Sequence, residues 1–153
     1  MSRIEKPYVL LVDDNEATCA LMMALLQREF AVEIAGDGYQ AIEQLKTRQY
    51  AAILLDLRMP QMDGFGVLEH LREHTPATLK RVIIVSAALH DREVERLRNY
   101  DVCGVIRKPF DVDVLLDTVK TCAGLAGGGF GNVLYSSTPV ILLIADLLRY
   151  ANR

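Results

Sequence analysis

Cysteine is scarce and odd in number. The 153 residues hold three, Cys19, Cys103 and Cys122, all in apolar surroundings. A small secreted scaffold carries an even, dense set, so these three are expected to be reduced thiols serving as small core residues. Positive charge is not in excess either: 17 Lys and Arg face 20 Asp and Glu, a formal charge of -3. No basic field exists to hold a polyphosphate backbone, and direct nucleic-acid binding is not expected. No apolar run reaches the roughly 18 residues of a membrane-spanning helix, and Met1 to Lys6 lacks the pattern of a secretory signal. A cytoplasmic chain without membrane contact is the expectation. No internal repeat is evident.

What is present is globular. Hydrophobic residues at 51% and charged residues at 24% exclude a disordered, collagen-like or coiled-coil chain, and the length fits one domain with a short appendage. The run YVLLV at 8–12 suits a strand buried on both faces. Asn15 then stands as N-cap before a helix from Glu16 to Glu29, whose Ala17, Leu21, Met22, Leu25 and Leu26 recur at three and four. The alternation repeats: strand at 31–35, a Gly36-Asp37-Gly38 turn, a helix with Ala41, Ile42 and Leu45 inward, and strand AAILL at 51–55. It continues with a helix near Phe65 to His74, strand VIIV at 82–85, a helix near Asp91 to Tyr100, strand VCGVI at 102–106, and a helix from Asp111 to about Cys122. Five strands alternating with five helices predict a doubly wound α/β fold, a parallel sheet with helices on both faces. Ligands of such sheets bind beyond the carboxyl ends of the strands.

Those ends carry Asp13-Asp14, Asp56, Ser86 and Arg107-Lys108-Pro109. An Asp after a strand ordinarily caps a helix or forms a turn; the coincidence on one edge is the signal. Three carboxylates together repel and raise one another's pKa values, a conflict that a divalent cation resolves. An all-oxygen set favours Mg2+, which takes one or two protein carboxylates, keeps waters and accepts phosphoryl oxygens. Lys108 offers a mobile charge and Ser86 a hydroxyl for a phosphoryl group. Asp56, alone at the end of the central strand, is the expected phosphoryl acceptor, and Asp13 and Asp14 are the expected metal ligands.

Through LLVDDNE at 10–16, LLDLRMPQMDG at 54–64, VSA at 85–87 and KPF at 108–110, residues 7–123 resemble the receiver domain of bacterial two-component response regulators. The resemblance implies a flavodoxin-like strand order, 2-1-3-4-5; the residues after Ala123 are too few and too rich in glycine for a helical DNA-reading module, so a single-domain regulator is expected. It implies that Asp56 accepts phosphate from a histidine kinase, a phosphotransfer protein or a small phosphodonor. Asp13 and Asp14 become the acidic pair, and the backbone carbonyl of Arg58 the remaining protein ligand of Mg2+. Ser86 becomes the switch hydroxyl and Lys108 the phosphate-sensing cation, followed by a cis peptide at Pro109. Output falls to a downstream protein target or a second copy of the chain, through the face near the fifth strand. One departure stands out: Val105 occupies the place, three before Lys108, where receivers usually carry Tyr or Phe. Arg58 and Ala88 occupy positions that tune dephosphorylation in the family.

Other residues receive plainer readings. His70, His74 and His90 lack partners at metal-ligand spacing and are expected in solvent; Met22, Met23, Met59 and Met62 read as core filler and loop anchors. DREVERLRN at 91–99 reads as a solvated helix with a buried stripe of Val94 and Leu97. Five of the ten glycines fall between Gly124 and Gly131, marking a linker at 124–131 before an apolar extension at 132–153. That extension is expected to dock on the receiver or on another copy. Two rival functions are a Mg2+-dependent phosphohydrolase, against which Arg58 stands where such enzymes place a second acid, and a phosphorylation-insensitive scaffold, which Val105 favours.

Overall fold

A computed structural model describes residues 5–124. Its strands are β1 (Tyr8–Val12), β2 (Ala31–Ala35), β3 (Ala52–Leu55), β4 (Val82–Ser86) and β5 (Gly104–Arg107). They pair in parallel in the order β2-β1-β3-β4-β5. The helices are α1 (Glu16–Leu26), α2 (Gly38–Leu45), α3 (Gly64–His74), α4 (Asp91–Leu97) and α5 (Val112–Cys122), with a 3-10 turn at Pro76–Arg81 before β4. The expected fold is therefore the observed one, and strands and helices differ from the expected spans by a few residues at their ends. The 3-10 turn, opened by Pro76, was not foreseen. Among the described residues no helix is long and apolar enough to cross a membrane. The expected linker, apart from Gly124, and the apolar extension lie outside the described residues.

Strand periodicity divides the core in two. Leu10, Val12, Ile53, Leu55, Ile84 and Val105 point to one face, where α2, α3 and α4 cover them. Val9, Leu11, Leu54, Ile83, Val85 and Ile106 point to the other, under α1 and α5. Each such side chain, removed from water, contributes roughly 1.5–3 kcal/mol. β3 and β4 are buried throughout, as expected of inner parallel strands.

Side-chain caps start α1, α2, α3 and α5, whereas α4 has none. Thr18 N–H donates to Asn15 Oδ1 at 2.9 Å, Gln40 N–H to Asp37 Oδ1 at 2.9 Å, Gly66 N–H to Asp63 Oδ1 at 2.9 Å and Asp113 N–H to Asp111 Oδ1 at 2.8 Å. In α1 the inward stripe is Cys19, Met22 and Leu26. Leu21 is 51% exposed and Ala17 also faces out, a correction to the expected face. The helix carries more apolar residues than one stripe holds, so spacing fits two rotations. Val94 and Leu97 form the buried stripe of α4 as expected, and Met59 and Met62 pack against the core from the β3–α3 loop.

The cysteines need a second correction. Cys19 is a buried free thiol, as expected, but Cys103 and Cys122 form a disulfide with Cα atoms 6.1 Å apart. Spacing in sequence, 19 residues, does not reveal that β5 and α5 bring the start of one against the end of the other.

Polar fastening gathers at the amino-terminal edge of the sheet. Arg48 Nε pairs with Glu33 Oε1 at 2.8 Å while its guanidinium lies 3.9 Å from the centre of the Tyr8 ring. Tyr50 Oη donates to the same Glu33 oxygen at 3.2 Å, and Arg81 Nη1 donates to the Tyr50 carbonyl at 3.2 Å.

Candidate functional site

Parallel strands all end on the same side, so the segments after β1, β3, β4 and β5 converge. Backbone hydrogen bonds continue the ladder past the strand ends. Asp13 N–H donates to the Ala35 carbonyl at 3.1 Å, Asp56 N–H to that of Val12 at 2.9 Å, and Lys108 N–H to that of Ser86 at 3.0 Å. The functional side chains thus spring from backbone held as firmly as the sheet.

Asp13, Asp14 and Asp56 each offer a carboxylate oxygen within 4.8 Å of the others. Lys108 Nζ reaches two of the three, 2.6 Å from Asp13 Oδ2 and 3.3 Å from Asp56 Oδ2. The second oxygens accept backbone donors: Asn15 N–H to Asp13 Oδ1 at 2.9 Å and Arg58 N–H to Asp56 Oδ1 at 3.3 Å. Burial opposes the charge on Lys108, but the hydrogen bond to Asp13 and the charges of Asp56 and Asp13 outweigh it, and its pKa is raised. Three carboxylates against one ammonium leave an unbalanced negative charge. Asp14 is exposed and has no ion-pair partner among the described residues. This donor set, all oxygen, fits a hard divalent cation such as Mg2+.

Next to the carboxylates lies a cavity of about 160 Å3 lined by Asp56, Arg58, Ser86, Ala87, Ala88, His90 and Lys108. Ser86 is fully buried, and its Oγ accepts the Ala88 N–H at 3.1 Å. The peptide between Lys108 and Pro109 is cis, as the family resemblance implied. Gly64 allows the acidic edge to close, because a Cβ there would run into the Asp56 carbonyl oxygen and lie 2.8 Å from Leu57 Cα. Cys19 Sγ donates to the Asp13 carbonyl at 3.5 Å, and burial, then the Asp13 charge, pushes this thiol's pKa up, as befits an inert core thiol.

All the expected residues, Asp13, Asp14, Asp56, Arg58, Ser86 and Lys108, therefore meet at one edge. One lining residue and one contact behind the site escaped the sequence reading. His90, expected only in solvent, is exposed but lines the cavity beside Asp56; its place four residues after Ser86, before the charged helix, was the available signal. Arg107, noted only as a neighbour of Lys108, donates from Nη2 to the Leu89 carbonyl at 2.8 Å. Nothing in the sequence marks that bond. Val105 is buried at 1% exposure within the α2–α3–α4 core.

The family model of the response regulator receiver domain matches residues 9–120. A probable chemotaxis protein CheY of Rhizobium etli is 33% identical over 127 residues, covering 81% of this chain and 98% of that protein. The transcriptional regulatory protein SrrA of Staphylococcus aureus is 35% identical over 115 residues, 73% of this chain but 46% of SrrA, so the chain spans under half of that relative. Among solved structures, the receiver domain of a sensor histidine kinase from Pseudomonas aeruginosa, with magnesium coordinated in its active-site cleft, superposes with a TM-score of 0.70 at 25% identity, over 78% of this chain and 98% of that one. Fold, converging site and matched sequence agree: the chain belongs to the response regulator receiver domain family, the signalling domains of two-component systems.

Proposed function

We propose that this chain is a phosphorylation-dependent switch in which Asp56 is the phosphoryl acceptor. The carrying observation is the place of Asp56: at the end of the central β3, between the carboxylates of Asp13 and Asp14 and a cavity faced by Ser86 and Lys108. A carboxylate oxygen of Asp56 attacks phosphorus as the bond from phosphorus to the donor's histidine nitrogen, or to the oxygen of a small acyl phosphate, breaks. The donor is a histidine kinase or a phosphotransfer protein. Asp13, Asp14, Asp56 and the backbone carbonyl of Arg58 are the residues that hold Mg2+. When bound, that ion screens the acceptor's charge and stabilises the phosphoryl oxygens.

Lys108 answers the growing negative charge from the other side. It already spans Asp13 and Asp56, so it can follow a phosphoryl oxygen with little reorganisation. Ser86 donates its hydroxyl to another oxygen. The outcome is a shifted balance between two conformations, read by a protein target or a second copy of the chain. Direct nucleic-acid contact and membrane contact are not part of the proposal, and the chain acts in the cytoplasm as a signalling domain rather than a turnover enzyme.

Incubation with acetyl phosphate and Mg2+, followed by intact mass, tests the acceptor. Native protein gains one phosphoryl group and Asp56→Asn gains none; equal labelling of both removes Asp56 from the role. Sustained hydrolysis of generic phosphate esters over many turnovers would favour the phosphohydrolase instead. The scaffold reading draws on Val105, buried at the place where receivers usually carry an aromatic; identical partner binding with and without a beryllofluoride phosphate mimic would favour it.

A further inference from the structure

The β4–α4 connection is held at two points that face opposite ways. Ser86, Ala87, Ala88 and His90 line the acceptor cavity, whereas Leu89 turns into the core at 2% exposure. At the front, the Ala88 N–H donates to Ser86 Oγ at 3.1 Å. At the back, Arg107 Nη2 donates to the Leu89 carbonyl at 2.8 Å. That carbonyl belongs to the peptide unit that carries the His90 nitrogen, so the guanidinium fixes the plane from which the His90 side chain leaves toward the cavity.

Strand geometry makes Arg107 the residue placed for this contact. Val105 and Arg107 lie two apart in β5 and share a face. Val105 is sealed in the core and its side chain has no polar atom to hold the connection's backbone. Arg107, one pleat nearer the carboxyl edge, has the length and the fork of donors that a backbone carbonyl accepts.

We propose that Arg107, through its hydrogen bond to the Leu89 carbonyl, is the positioning residue that couples the loop behind Ser86 to strand β5, the link that Val105 cannot supply. This deepens the phosphorylation switch and rests on that reading. When rotation of the Ser86 side chain carries its hydroxyl oxygen toward a phosphoryl group, the acceptor of the buried Ala88 N–H moves away, and an unpaired buried donor is costly. The loop then moves as a unit to re-pair that donor. Its far end is tied to Arg107, so the displacement is delivered to β5 and to Lys108, the next residue.

The test compares native protein, Arg107→Ala and Arg107→Lys. Phosphoryl uptake from acetyl phosphate and Mg2+ is measured by intact mass, and amide hydrogen exchange of the 87–90 and 104–110 segments with and without beryllofluoride. In native protein both segments change protection on adding beryllofluoride. Arg107→Ala takes up phosphate as native protein does and keeps the loop response, but loses most of the response in 104–110. Arg107→Lys, which retains a charged donor, recovers part of it. An undiminished 104–110 response in Arg107→Ala, with phosphate uptake intact, overturns the role of Arg107 alone. Absence of uptake in native protein overturns the acceptor reading and this inference with it.

Discussion

Lys108 Nζ and Asp13 Oδ2 lie 2.6 Å apart across 95 residues of chain, an ion pair whose carboxylate is 2% exposed and whose ammonium side chain is 18% exposed. Removing one partner of a pair this buried leaves the other charge uncompensated. Lys108→Ala therefore loses about 3 kcal/mol of stability in urea unfolding without divalent cation, and Mg2+ stabilises the variant more than it stabilises native protein. An unchanged midpoint would mean the ammonium contributes nothing to holding the acidic edge.

Asp14 makes the opposite prediction. It adds negative charge without an ion-pair partner among the described residues, so Asp14→Asn has a higher Tm than native protein when no divalent cation is present. The same variant shows a smaller rise in Tm on titration with Mg2+, because stabilisation by a ligand scales with its affinity for the folded state. Thermal melts over a Mg2+ series check both signs.

Gly64 supplies a steric prediction. A methyl group there meets backbone at Asp56 and Leu57 rather than a movable side chain. Gly64→Ala costs about 1–3 kcal/mol, the usual range for forced overpacking. It also lowers phosphoryl uptake at Asp56, whereas Gly36→Ala, whose Cβ meets only the Gln40 side chain at 3.6 Å, leaves uptake intact.

The disulfide joins cysteines 19 positions apart and closes a loop that contains Lys108. In the chain-entropy account such a closure is worth about 3 kcal/mol. Reductant lowers the Tm of native protein and of Cys19→Ser alike, and leaves that of Cys103→Ser/Cys122→Ser unmoved. Thiol titration of unfolded, unreduced protein finds one free cysteine; three would return the pair to the reduced state that the sequence suggested.

Glu69 gives a pH dependence. The hydrogen bonds from Arg72 Nη2 at 2.7 Å and from Tyr100 Oη at 2.8 Å hold its carboxyl below the usual range. A depressed pKa means stability present above the unfolded-state value and lost as pH falls through the folded-state value. Native protein is thus more stable than Glu69→Gln at neutral pH, and the gap narrows once the pH drops below the ordinary glutamate range. Urea midpoints at the two pH values measure it.

Periodicity and the residues closing each strand made most of this molecule readable. Runs such as YVLLV and AILL have no other economical home than an inner parallel strand, and the direction common to all strands then brings Asp13, Asp56, Ser86 and Lys108 to one edge. What stayed hidden depends on side-chain reach and three-dimensional proximity. The rotation of α1 about Cys19 and Met22, the meeting of Cys103 with Cys122 and the grip of Arg107 on Leu89 have no signature in spacing, because each is settled by packing between separate elements; His90 had one, its distance from Ser86, but its reach into the cavity depends on how the loop turns.

The Arg48, Glu33, Tyr50 and Arg81 network sits at the end of the sheet remote from the acidic residues. It ties the middle of β2 to the start of β1 and to the approaches to β3 and β4, so the lower half of the molecule serves as a fixed plinth. Motion set off at the acceptor has one direction left to travel, sideways along the upper rim, and local opening of the native state should begin there while the foot stays shut.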